Sequence, residues 1–203
     1  MFPCVWLHFA SIPMVNAVDV AKHLIWLAGQ EGEMSYLTEM QVQKLLYYVQ
    51  GWSLGLRGAP VFGEQFEAWP YGPVVREVNA ALSGQAPLPV ELGCEAKLSR
   101  DEAFLVRAVW EAYKKYSPLG LSDKTHAESP WRDARQGLEP HAGSDRVIDF
   151  EALRAFFTAQ VGESEDFGLK AMPDWSRHPD DRFVLAAQAV MARRLPVLNR
   201  LAQ

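Results

Sequence analysis

The sequence predicts a mainly α-helical fold, a compact multi-helix bundle. Apolar residues recur at three- and four-residue spacing in several segments, two capping boxes mark helix starts, and glycine or proline ends most helical stretches. Only the segment 61–69, VFGEQFEAW, is short and aromatic in the manner of strands. We therefore expect an all-α protein with at most a minimal two-stranded element near residues 61–69.

The first two predicted helices cover residues 16–30 and the segment from Thr38 to Gly58. In the first, the apolar residues fall on one stripe. At the start of the second, Thr38 forms a capping box with Gln41. Gly58 can cap the end of this helix, and Pro60 cannot continue it.

Two glycines, Gly51 and Gly55, lie inside the second predicted helix. Glycine in a helix interior costs about 1 kcal/mol relative to alanine. Residues four positions apart share one face of a helix. We therefore expect another element to approach this helix very closely at that face.

Several shorter helices are predicted farther along the chain. Pro73 occupies a favoured first-turn position, so we expect a helix to begin there. A second capping box, Ser99 with Glu102, opens another helix. Pro130 divides two short helical pieces, and Asp149 is a good N-cap residue for the helix that follows it.

Length and composition indicate one domain with an additional segment at each end. The chain has 203 residues, 49% of them hydrophobic and 22% charged, which is enough to bury a sizeable core without disulfides or metal. We expect residues 1–13 to be a loosely ordered extension, with a lipid-facing anchor as the less favoured alternative. Residues 14–161 are predicted to form the helical domain, and residues 162–203 a linker and a C-terminal helix packed on it.

Charge and cysteine content argue against several classes of protein, among them nucleic-acid-binding, zinc-binding and disulfide-rich proteins. The net charge is −5, and no run of Lys or Arg is longer than two residues, which disfavours nucleic-acid binding. Neither Cys4 nor Cys94 lies in a CxxC pair, so we expect no zinc site, no disulfide scaffold and a reducing, cytoplasmic location. The apolar N-terminal stretch is too short to span a membrane, and no membrane association is expected.

No GxGxxG, Walker A, HExxH or GxSxG motif is present, and no cofactor, metal or catalytic residue is predicted. The most suggestive histidine is His126, with Glu128 two residues later, because such a pair can act in acid–base catalysis. The favoured interpretation is structural. His126 ends one short helix, Pro130 takes the first turn of the next, and Trp131 enters the core.

The stretch QKLLYYVQGW has two interpretations between which the residues do not decide. Lys44, Tyr47, Tyr48 and Gln50 form either an amphipathic contact face with tyrosine anchors or a helix junction. In the second case the tyrosine hydroxyls bond buried backbone groups.

For EAWPYGPVVREV, local physics favours a rigid corner in which Trp69 plugs the core and Gly72 permits a positive φ. The alternative is a presented loop with Tyr71 at its apex. In that case free N–H groups at a helix start beside Tyr71 can receive a carboxylate or phosphate.

Together these motifs resemble the Panacea domain, the SocA-like antitoxin or phage-associated GepA-like family. The resemblance spans about residues 15–157 and is carried, in order, by VNAVDVAKHLIWLA, LTEMQVQKLLYYVQGWSLGLRGAPVFGEQFEAWPYGPVVREV and LSDKTHAESPWRDAR. It implies a mostly helical domain with a non-enzymatic role. The implied role is an antitoxin that binds and neutralises a cognate protein toxin, with a protease system as a further partner in the case of an adaptor mechanism.

Carried over by position, the resemblance implies a set of motif residues, here called the signature residues: Lys44, Tyr47, Tyr48, Gln50, Trp52, Trp69, Gly72, Pro73, Val74, His126, Glu128 and Trp131. Tyr71 is added as the residue most suited to meet a partner. Two alternative functions are kept, a small enzyme centred on His126 and Glu128 and a phage structural or assembly protein. No oligomeric state is predicted.

Overall fold

The computed structural model describes residues 15–32 and 36–162, and within these ranges the fold is mainly helical, as predicted. The predicted extension 1–13 and C-terminal helix lie outside the described residues. The elements follow in chain order: α1 (Ala17–Gly29), α2 (Glu39–Arg57), β1 (Phe66–Trp69), β2 (Gly72–Val75), α3 (Arg76–Leu82), a 3-10 turn (Val90–Leu92), α4 (Arg100–Tyr113), α5 (Pro118–Ala127), α6 (Ser129–Ala134), β3 (Val147–Ile148) and α7 (Phe150–Gly162).

Helix α2 lies at the centre of the fold, and every residue from 42 to 54 is buried. It contacts α1, α4, α5 and α7, and α7 makes the most extensive contact. The predicted capping box is present, because Thr38 Oγ1 accepts from the Gln41 N–H at 3.2 Å and Gln41 Oε1 accepts from the Thr38 N–H at 3.0 Å. Gly58 ends the helix with a φ of 67°, as its position predicts.

The element that approaches Gly51 and Gly55 is α7. A Cβ on Gly51 would overlap the ring of Phe157, and a Cβ on Gly55 would lie 2.8 Å from the Phe157 carbonyl carbon. The Phe157 ring in turn meets the edges or faces of Tyr47 and Trp52, with centroid separations of 5.8 and 5.1 Å. The prediction of a close approach is confirmed, and it accounts for both glycines in the centre of a buried helix.

Three short strands form one antiparallel sheet in the order β2-β1-β3. Phe66 in β1 lies opposite Val75 in β2 on one side and Ile148 in β3 on the other. The expectation of at most two strands near residues 61–69 is therefore wrong in detail. The sheet has a third strand, and its hairpin spans residues 66–75.

The prediction that Pro73 begins a helix is wrong, because Pro73 lies in β2 and α3 begins at Arg76. Proline is tolerated here because β2 is an edge strand. Ala68, opposite Pro73, donates its N–H to the Arg146 carbonyl on the β3 side at 2.8 Å, so the β1–β2 ladder needs no N–H from Pro73.

The buried core is continuous from α1 through α2 and α4 to the sheet and α7. The second predicted capping box opens α4, where Ser99 Oγ accepts from the Glu102 N–H at 3.3 Å. At the start of α7, the Asp149 carboxylate accepts from the Glu151 N–H at 3.1 Å, in agreement with its predicted N-cap role. Among the helices of the described ranges, none combines the length and apolar character needed to cross a membrane.

Replacing Gly51 by alanine tests the packing of α7 on α2. The added methyl group of Gly51→Ala overlaps the Phe157 ring, which should cost about 2–3 kcal/mol. After the gain of about 1 kcal/mol in helix propensity, we expect the free energy of unfolding to fall by about 1–2 kcal/mol. Urea unfolding followed by circular dichroism measures the change.

The matched control is Gly29→Ala at the end of α1. A Cβ at Gly29 would meet Val90 at an ordinary contact distance of 3.6 Å, so this variant should be as stable as the parent protein or more stable. Unchanged stability of Gly51→Ala would contradict the close packing of Phe157.

Candidate functional site

Several signature residues lie in the hairpin formed by β1 and β2 or bind it: Trp69, Gly72, Pro73, Val74, Lys44 and Trp131. Side chains from three helices donate hydrogen bonds to its backbone carbonyls, at distances between 2.8 and 3.2 Å. The pairs are Arg135 with Ala68, Trp131 with Trp69, Ser122 with Tyr71, Lys44 with Pro73, and Gln43 with Val75. The hairpin is therefore held by α2, α5 and α6 as well as by the pairing of its own strands.

Lys44 and Gly72 fit together at the end of the hairpin. Lys44 is 1% exposed, and its Nζ donates to the Pro73 carbonyl at 3.1 Å. Gly72 has a φ of 103°, and a Cβ there would lie 2.5 Å from Lys44 Cε and 2.7 Å from Thr125 Oγ1. Both its conformation and its surroundings therefore require glycine at this position.

Two glutamines of α2 bind backbone groups of the segment that follows the helix. Gln43 accepts from the Val75 N–H at 2.8 Å and donates to the Val75 carbonyl at 3.2 Å, as a neighbouring strand would. Gln50 accepts from the Val61 N–H at 2.9 Å and donates to the Phe62 carbonyl at 2.7 Å. Gln43 was not among the residues predicted from the sequence, although a polar side chain beside Lys44 in the predicted second helix was a signal for it.

Glu128 is buried among aromatic side chains. Tyr48 donates its hydroxyl to Glu128 Oε1 at 3.1 Å and stacks on Tyr113, with 3.9 Å between the ring centroids. Tyr113 accepts from the Trp52 indole N–H at 3.1 Å. The Tyr47 hydroxyl and Glu128 Oε2 are also buried, and within the described residues neither meets the geometry of a hydrogen bond.

Burial shifts the pKa values of two signature residues, Glu128 and Lys44, in opposite directions. It raises the pKa of Glu128 to about 7, while the hydroxyls of Tyr47 and Tyr48 and the charge of Lys124 act against the shift. It lowers the pKa of Lys44 to about 7, and the charge of Glu39 acts against that shift. Both groups therefore favour their neutral forms more than they would in water.

His126 and Glu128 do not form the acid–base pair that the sequence allowed. The imidazole of His126 stacks on Trp131 at 3.9 Å between ring centroids, and its Nε2 lies 3.5 Å from Ser122 Oγ. Burial lowers the pKa of His126, and the charges that modify this pKa belong to Lys44, Asp123 and Arg135, with no contribution from Glu128.

The structural interpretation of the His126 region is confirmed. Helix α5 ends at Ala127, Glu128 is the N-cap residue of α6, and Pro130 lies in the first turn of α6. Trp131 is partly buried against the core and uses its indole N–H to bind the hairpin.

The hypothesis of an amphipathic contact face on α2 is wrong. The signature residues of α2 are at most 2% exposed: Lys44, Tyr47, Tyr48, Gln50 and Trp52. The helix-junction interpretation is right about their burial but wrong about the bonding partner of Tyr48, which is a carboxyl group instead of the backbone.

The hairpin turn combines features of both interpretations of EAWPYGPVVREV. Tyr71 is 61% exposed, as expected for an apex residue, whereas Gly72 and Val74 are buried. Trp69 is only partly buried, and its indole N–H donates to Glu67 Oε2 at 2.7 Å, so it does not plug the core. The suggested anion site at a helix start beside Tyr71 is not formed, because no helix begins there.

An open groove of about 440 Å³ lies beside the hairpin. It is lined by Trp69, Pro70 and Arg76 on the hairpin side and by Gly143, Ser144 and Asp145 on the other.

The structure thus shows a helical domain whose buried polar residues hold an exposed hairpin turn. Residues 42–132 match the family model described as the antitoxin SocA-like, Panacea domain. The resemblance inferred from the sequence is therefore confirmed over this range, which contains all of the signature residues. No curated protein and no solved structure matches the chain.

The pH dependence of stability tests the buried carboxyl group. Because the pKa of Glu128 is raised from 4.5 to about 7 in the folded protein, the folded state keeps a proton that the unfolded chain releases. The contribution of Glu128 to stability should therefore decline as pH rises from about 4.5 to about 7. Glu128→Gln retains an oxygen that can accept from Tyr48 and cannot ionise, so it should remove this decline.

Urea unfolding at several pH values between about 5 and 8 measures the difference between the parent protein and Glu128→Gln. Lys44 is present in both proteins, so its own titration cancels in the comparison. Glu77→Gln, on the exposed surface of α3, is the control for loss of one negative charge. The same pH slope for Glu128→Gln and the parent would count against this account of Glu128.

Proposed function

We propose that this protein is an antitoxin-like binding protein that forms a complex with a cognate protein toxin and neutralises it by direct contact. The observation that carries the proposal is the match of residues 42–132 to the antitoxin SocA-like domain. The match to an antitoxin family suggests a non-enzymatic role. The proposal places the complex in the cytoplasm, where unpaired cysteines are usual.

The exposed turn of the hairpin supports a binding role. Tyr71 is 61% exposed, while its own carbonyl is fixed by Ser122 at 3.1 Å. Tyrosine is one of the side chains that contribute most to protein interfaces. A side chain presented from a fixed backbone loses less conformational entropy on binding than one on a mobile loop.

A second exposed apolar side chain lies on the neighbouring helix. Leu119 in α5 is 65% exposed, and it precedes Ser122 by three residues, which places both on the same face of the helix. Because Ser122 binds the Tyr71 carbonyl, Leu119 lies on the helix that fixes the hairpin turn. We assign the exposed side chains of Tyr71 and Leu119 to the toxin contact.

Co-expression with the product of the neighbouring gene tests the proposal. We expect that product to arrest growth when expressed alone, and we expect this protein to restore growth and to purify with it as a stable complex. Normal levels of intact toxin in the rescued cells would indicate neutralisation by binding, whereas depletion of the toxin would indicate an adaptor for a protease. A toxin that stays fully active and unbound would refute the proposal.

Replacing Tyr71 by alanine tests the contribution of the hairpin turn. We expect Tyr71→Ala to weaken toxin binding about tenfold or more, the loss typical of an aromatic anchor. Its free energy of unfolding should change by less than about 0.5 kcal/mol, because the side chain is exposed. Calorimetric titration and urea unfolding measure the two quantities.

Tyr36→Ala is the matched control, since Tyr36 is 50% exposed and precedes α2, outside the hairpin. It should bind the toxin as the parent protein does. A parallel loss of stability and binding in Tyr71→Ala would mean that Tyr71 is a structural residue.

A further inference from the structure

One wall of the groove beside the hairpin carries the guanidinium of Arg76, which an ion pair with Glu67 holds in place. The Glu67 carboxylate accepts from the Trp69 indole N–H at 2.7 Å, from Arg76 Nε at 2.8 Å and from Arg76 Nη2 at 2.7 Å. The Arg76 side chain is nevertheless 61% exposed, and its Nη1 has no acceptor within the described residues. The guanidinium is therefore held in place with N–H groups still available to a partner.

The opposite wall has an exposed negative charge. Asp145 is exposed and forms no ion pair with any residue that the structure describes. Its neighbour Ser144 accepts from the Arg146 N–H at 3.2 Å, and the Arg146 guanidinium donates to the Gln136 carbonyl at 2.7 Å. The loop that carries Asp145 is thus tied to the end of α6.

Arg135 connects the two walls. It is 5% exposed and donates to the Ala68 carbonyl in β1 at 2.8 Å and to the Ala142 carbonyl at 2.9 Å. Ala68 precedes Trp69 on one wall, and Ala142 precedes Gly143 on the other. One buried guanidinium therefore fixes the position of the loop relative to the hairpin.

Extending the proposed function, on which this step rests, we propose that the cognate toxin inserts an extended segment into this groove. An apolar side chain of the segment packs on Trp69 and Pro70, an acidic side chain binds Arg76, and a basic side chain binds Asp145. The available N–H groups of Arg76 on one wall and the carboxylate of Asp145, which has no ion pair within the described residues, on the other define this chemistry. The groove is adjacent to Tyr71 and continues the contact surface assigned above.

The two walls also differ in their relation to the matched domain. The hairpin wall lies within residues 42–132, whereas Gly143, Ser144 and Asp145 lie outside this range. The outer wall is therefore supplied by a part of the chain beyond the family match. We infer that the residues of this wall determine which partner segment binds.

A charge reversal on the outer wall tests the proposal. Asp145→Arg should weaken binding of the purified toxin at least tenfold, because it places a positive charge at position 145 opposite the basic side chain of the inserted segment. The matched control is Asp133→Arg on α6, where the side chain is 71% exposed and away from the groove lining. Its affinity should stay within about twofold of that of the parent protein, as measured by calorimetric titration.

Photo-crosslinking from Gly143 locates the inserted segment. Position 143 suits benzoylphenylalanine because Gly143 is exposed and a Cβ there would meet nothing within 4 Å. Crosslinking in the complex, followed by mass spectrometry, should identify a toxin segment with an apolar residue flanked by one acidic and one basic residue. The same probe at position 133 should give no crosslink to that segment.

The outcomes separate this inference from the proposed function. A parent protein that does not bind the toxin refutes both. A parent protein that binds, together with Asp145→Arg of unchanged affinity or a crosslinked segment lacking either charge, overturns the groove assignment and leaves the antitoxin role intact. If Asp145→Arg fails to fold, as shown by its thermal unfolding, the crosslink from Gly143 decides the question.

Discussion

The structure depends on one constraint, that polar groups removed from water must find hydrogen-bond partners. Helix α2 is buried on every side, yet it carries Gln43, Lys44 and Gln50. Each of these side chains binds backbone groups of the segment 61–75, which would otherwise be buried without partners. The central helix therefore does more than fill the core, because it determines where the backbone of the hairpin lies.

Local signals predicted the helices well because each signal acts within a few residues. The capping box of Thr38 and the left-handed Gly58 need no information from the rest of the chain. The sheet could not be predicted in this way, since β3 pairs with a strand about 80 residues earlier in the chain. Pro73 shows the same limit, because a favourable first-turn position is outweighed by the hairpin that forms around it.

The roles of the signature residues depend on contacts that the sequence does not reveal. The period of α2 indicated one buried face, whereas Phe157 and Glu128 cover a second one from distant parts of the chain. The polar tips of Lys44 and Tyr48 therefore became interior hydrogen-bonding groups. No sequence pattern indicated that Arg76 and Asp145 would line one groove, since only the folded hairpin and loop bring them together.

Burying ionisable groups such as Glu128 and Lys44 costs desolvation free energy, and apolar residues of similar size often stabilise a core equally well. In this domain, buried polar side chains also hold the backbone of the hairpin turn in place. Lys44, Ser122 and Trp131 each fix one carbonyl around the turn, while the Tyr71 side chain between them remains in solvent. Under the proposed function, a turn held in this way would meet the toxin already ordered. Loss of a clamping residue would then weaken toxin binding by releasing the turn, without removing a contact made by the Tyr71 side chain.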